Sequence, residues 1–201
     1  MAQWDGTTNS IIRPYRHPSG SFPVRYYEES TCAATAVIKR GDIVTFDTVV
    51  ATASHRILRA PSSGGTGTNL LQVGIRSLVG VAAENSTSDG SVTGLTSNGL
   101  RPSWNRKLGV FLATPETEFI GFMSTAGAVS SQAVLSTLIG VQCPVTYSRT
   151  LNRFLLDSTN VTTSALFAVV ITDIPSESIG DTNGPVVFKF LSTNVAANAA
   201  Q

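Results

Sequence analysis

Leu108-Gly109-Val110-Phe111-Leu112-Ala113-Thr114-Pro115-Glu116-Thr117-Glu118-Phe119-Ile120-Gly121-Phe122-Met123 decides the fold class. Two short runs of aromatic, β-branched and small residues flank Thr114-Pro115-Glu116-Thr117, a turn by composition. Each run is too short for a buried helix and the right length for a strand. The unit therefore reads as two strands joined by a tight connection.

The same rhythm recurs on both sides. Upstream, Thr35-Ala36-Val37-Ile38 leads into the turn Lys39-Arg40-Gly41-Asp42, then Ile43-Val44-Thr45-Phe46 and Thr48-Val49-Val50. His55 to Ala60 alternates weakly, Pro61 to Asn69 reads as a flexible loop, and Leu78 to Ala82 is a short buried-type strand. Downstream, Leu138-Ile139-Gly140-Val141, Pro144 to Tyr147, Asn152 to Asp157, Ala165 to Ile174 and Val186 to Leu191 are strand candidates. Thr125 to Ile139 is ambiguous between loop, strand and a short helix. Short strands with turn signals at this spacing predict an all-β barrel or sandwich. A boundary near 124–137 would separate two β units, 31–124 and 138–193, ahead of an Ala/Asn-rich tail at 194–201.

Residues 1–30 differ. Pro14, Pro18 and Pro23 forbid a regular helix and disfavour a central strand. The stretch carries Trp4, Ile11, Ile12, Arg13, Tyr15, Arg16, Phe22, Arg25, Tyr26 and Tyr27, and so reads as an extended arm studded with aromatics and arginines. Those residue types are enriched at protein interfaces. Packing of the arm on its own domain is the competing reading. Trp104, set among Arg101, Arg106 and Lys107, is a further interface candidate, and an aromatic among cations could also stack on a base.

Composition narrows the function classes. The 201 residues carry a formal net charge of +1, and only 13% are charged, against about 25% in typical domains. That argues against a basic nucleic-acid binder. The longest apolar run, Ala165 to Ile171, is far short of the ~20 residues of a membrane helix. No secretory signal is read at the start of the chain, so the Asn85 and Asn160 sequons carry little weight.

Catalytic chemistry is sparse. His17 and His55 lie in separate segments, as do Cys32 and Cys143, and neither a disulfide framework nor a metal set is read from them. Gly64-Gly65-Thr66-Gly67-Thr68 lacks the Lys-Ser/Thr ending of a phosphate loop. Asp89, Asp157, Asp173 and Asp181 suit Asx turns better than a calcium loop. Glu116 and Glu118 alternate to one face, the one spacing compatible with paired acid/base work. No catalytic residue and no cofactor is expected.

Several pieces resemble the decoration, or cement, proteins on the heads of tailed bacteriophages. They are Ile38-Lys39-Arg40-Gly41-Asp42-Ile43-Val44, Val79-Gly80-Val81-Ala82-Ala83 with Asp89-Gly90, and Thr114 to Phe122. The stretch from Leu138 to Phe190 is similar to the same region of marine and cyanobacterial phage cements. The resemblance covers most of residues 31–193 and implies a β-rich protein of β-tulip or jelly-roll type bound outside the mature capsid. Its implied partners are the major capsid protein and further copies of itself, as trimers or dimers, with no nucleic acid and no membrane. The implied location is the head exterior after synthesis in the host cytoplasm, with the arm clamping neighbouring subunits. The alternatives are a tail or fibre component that binds host glycans, and a hydrolase using Glu116 and Glu118.

Overall fold

The computed structural model describes residues 11–29, 38–46, 56–60, 62–63, 70–73, 78–85, 107–124, 137–148, 151–157, 168–175 and 184–192. They form an all-β protein of three hydrogen-bonded assemblies. A closed barrel joins β2 (Val24–Glu29), β4 (Arg56–Arg59), β3 (Ile43–Phe46), β7 (Leu78–Ala82) and β8 (Lys107–Leu112), in that order. All its pairs are antiparallel except β2 with β4, so one parallel seam closes the ring. A five-stranded sheet orders β1 (Arg13–Arg16), β9 (Glu118–Phe122), β14 (Pro185–Phe190), β13 (Val169–Asp173) and β10 (Gln142–Cys143). A four-stranded sheet orders β12 (Arg153–Leu156), β11 (Val145–Ser148), β6 (Leu70–Val73) and β5 (Ser62–Ser63).

The apolar residues separate into two cores. Tyr27, Ile38, Val44, Ile57, Val79, Ala82, Leu108, Val110 and Leu112 fill one, drawn from all five barrel strands and the turn before β3. The second joins the two open sheets to the barrel. It combines Phe119, Val186, Phe188, Phe190, Val169 and Ile171 with Val145, Tyr147, Phe154 and Leu156, and with Ile43, Leu78 and Val81 of the barrel. Phe119 meets Phe190 edge-on at 5.3 Å and lies beside Phe188 at 6.0 Å, so three rings from two paired strands form its centre.

Two glycines make the close approaches possible. At Gly80 a side chain would stand 1.9 Å from the Phe111 carbonyl oxygen, where β7 pairs with β8 near the β3–β7 bulge. Gly41, at φ 88°, closes the turn before β3, and a Cβ there would lie 2.6 Å from that of Ile11.

Several expectations need correction. The split near 124–137 does not divide the sheets, because β9 pairs with β14 and β6 pairs with β11. The barrel does lie within residues 24–112, but the other two sheets draw strands from both halves of the chain. The N-terminal segment from 11 onward supplies a strand to two assemblies rather than standing apart: β1 flanks β9, and β2 sits between β8 and β4. Proline is tolerated in β1 because, among the described residues, that strand is a sheet edge. Thr137 and Leu138 are helical, the short helix left open for that stretch, and Leu138 to Val141 closes as a turn with Gly140 at φ 85° instead of a strand. Ser62 and Ser63, expected in a loop, pair with Val73 and Gln72. Residues 1–10, 125–136 and 193–201 lie outside the described residues.

Candidate interaction surface

The N-terminal segment carries the residues expected to bind a partner, and the structure sorts them. Ile12 is 2% exposed and belongs to the shared core, against Gly121 and the turn at Gly41. Tyr27 is buried in the barrel, where its ring meets Phe46 edge-on at 5.7 Å. These two are corrected: their apolar surface is spent inside the chain. Ile11, Phe22 and Arg25 are half-buried, and Phe22 packs edge-on against Phe111 at 6.3 Å. Arg13 and Arg16 are exposed, Tyr15 is 47% exposed, and Tyr26, at 66%, is the most open large apolar side chain described. Trp4 and Trp104 lie outside the described residues.

β1 is fastened by charge. Arg16 stands opposite Glu118 of β9, and its Nε donates to Glu118 Oε2 at 2.5 Å. A second guanidinium nitrogen reaches Asp173 of β13 at 3.4 Å, and Lys189 of β14 lies 3.8 Å from Glu118 Oε1. Four strands thus contribute alternating charges to one face of the sheet. Arg16 is open to solvent, where such pairs are screened and weak, so the network fixes register more than it adds stability.

β2 presents a different face. Val24, Tyr26 and Glu28 point outward in strict alternation with half-buried Arg25 and buried Tyr27. Tyr26 is paired with Gly109 of β8, and a Cβ on that glycine would lie 3.4 Å from the tyrosine ring. An aromatic laid across a facing glycine restores the packing that the glycine lacks. Glu84 accepts the Gly109 backbone N–H at 2.8 Å, and Glu28 pairs with Lys107 in register and with Arg56 at 3.4 Å. The face is an apolar strip, Val24 and Tyr26, bordered by Glu28, Lys107, Arg56 and Glu84.

Of the groups considered for chemistry, Cys32, His55, Asp89 and Asp181 lie outside the described residues. His17 Nδ1 lies 2.8 Å from Ser19 Oγ and accepts the Ser19 backbone N–H at 3.2 Å, while Gly20 N–H donates to the His17 carbonyl. Those are the bonds of a local turn. Glu116, 3.8 Å from His17 Nε2, is beyond hydrogen-bond reach. Glu118 is occupied by Arg16 and Lys189. Burial, with a smaller push from Asp157, raises the Cys143 thiol to about 12, which keeps it a poor nucleophile.

Composition did not disclose one polar cluster. Arg59 of β4 lies over the Tyr147 ring at 4.6 Å and donates to its hydroxyl at 3.2 Å, and that hydroxyl in turn donates to Asn152. Burial raises the Tyr147 phenol above its ordinary value. Asp42, buried at the base of β3, accepts the Lys39 backbone N–H at 2.9 Å. Its burial pushes the carboxyl up to about 6, against the opposing pull of that hydrogen bond and of Arg59 and Lys39. These groups join the barrel to the β11–β12 hairpin.

No family model, curated protein or solved structure matches this chain.

Proposed function

We propose that this chain is a structural virion protein that binds the outside of a mature phage head and stabilises its lattice. The observation that carries this reading is the exposure of Tyr15, Val24 and Tyr26 on rigid strands of the same N-terminal segment whose composition points to an interface. A surface poor in charge and a fold held by two apolar cores suit a part that works by contact. Weak contacts suffice, because binding to a repeating lattice multiplies them. The test is co-sedimentation of the purified chain with expanded heads stripped of their surface proteins. Saturation at a simple ratio to the major capsid protein is expected; no retention by heads at any concentration defeats the reading.

A second reading is a tail or fibre component that binds host glycans. Tyr26 favours it, since an open aromatic on a barrel strand can lie under a sugar ring. A clear hit on a glycan array that Tyr26→Ala abolishes would support this alternative over the first.

A further inference from the structure

We propose that the β2–β8 face of the barrel is where two copies of this chain pair, through a two-fold axis running parallel to the strands. The contact is face to face. Pro14 within β1 lacks a backbone N–H, which makes that strand, an edge among the described residues, a poor template for an added strand. The β2–β8 face carries no such block, and it is complementary to itself.

The register shows how. On the outer side of the barrel, Tyr26 stands beside Gly109 and Glu28 beside Lys107. A two-fold axis between the two strands and parallel to them keeps height along the strand and exchanges β2 for β8. Each Tyr26, leaning on its own Gly109, then meets its copy at the same height across the axis, and Glu28 comes over Lys107 of the other, that charge contact occurring twice. Among the described residues the rim has two acids, Glu28 and Glu84, and two bases, Lys107 and Arg56, all exposed or half-buried. Acids and bases interleaved in this way suit a copy of itself better than a strongly acidic or basic partner. Its centre, with Tyr26 at 66% and Val24 at 41% exposure, has the aromatic anchor and polar border of a binding hot spot. The proposal draws on the same strip as the virion reading: pairing through Val24 and Tyr26 leaves Tyr15 on β1 for the head, and the purified chain alone tests the pairing.

Sedimentation of the purified full chain over a concentration series tests it. The native chain is expected to form dimers, and Tyr26→Glu to weaken association by about thirtyfold or more. Ile139→Glu, half exposed in the turn before β10, should leave it unchanged. Glu28→Lys and Lys107→Glu chains should each associate poorly alone, yet pair when mixed in equal amounts. Repulsion within one chain cannot produce that rescue. Should Tyr26→Glu fail to fold, Tyr26→Ser and the mixed charge variants decide. A native chain monomeric at every concentration, a Tyr26 variant that associates normally, or a mixture that stays unpaired while the native chain dimerises would each overturn the proposal.

Discussion

The two strands at the start of the described chain meet opposite fates. β1 lies on the five-stranded sheet with Arg16 gripped by Glu118 and Asp173, and the preceding Ile12 sunk in the core. β2, seven residues further on, lends Tyr27 to the barrel interior and leaves Val24 and Tyr26 in the open. One strand spends its charge on contacts within the chain and leaves Tyr15 outside, and the other holds an apolar pair, Val24 and Tyr26, in the open. Aromatic and arginine content alone is thus a poor guide to an interface. What separates the two strands is which residues the register points outward, and whether a neighbouring strand supplies their partner.

The sharpest break in this comparison is at the seat of β1. Ile12→Ala should cost about 2–5 kcal/mol, because the methylenes removed are wholly buried beside Gly121 and the Gly41 turn. Chemical denaturation would measure it. Tyr26→Ala should cost under about 0.5 kcal/mol in the same assay while weakening association, since its ring is mostly in solvent.

The barrel turn that seats Ile11 and Ile12 also contains Asp42, which gives a pH test. Its carboxyl is raised from an ordinary 3.8 to about 6, so the folded chain holds the proton more tightly than the unfolded chain. The linkage sign follows: stability from this group is full below about 4, falls as pH rises to about 6, and is level above. The gap is worth at most about 3 kcal/mol. Asp42→Asn keeps an acceptor for the Lys39 N–H and should flatten that part of the melting-temperature profile; an unchanged slope would assign the effect to another group.

The smallest expected effect is on the charged face. Arg16→Ala should barely move the denaturation midpoint, and less still in high salt, because its side chain is more than half exposed. A loss of several kcal/mol would mean that the ladder, not Ile12, holds β1.

Much of the fold was legible in the sequence. Ile43–Phe46, Leu78–Ala82 and Glu118–Phe122 announce themselves as short β-branched and aromatic runs bounded by turns, and each is a strand within those limits. β1 was hidden because Pro14 reads against a strand unless its edge position is known. Leu138-Ile139-Gly140-Val141 has strand composition, but Gly140 in the left-handed region turns the chain there. The site was less legible. Tyr26 and Tyr27 are adjacent aromatics of equal interface promise, and only the barrel register sends one inward and the other out. The Arg16–Glu118 pair spans 102 positions, a separation over which local pattern carries no information.

The most direct test of the proposed role is the copy number of this protein in purified phage particles, by quantitative mass spectrometry against the major capsid protein. A ratio near one, or a simple fraction of it, is the result expected of a lattice-wide surface protein. Absence from the particle, or a handful of copies, would contradict it.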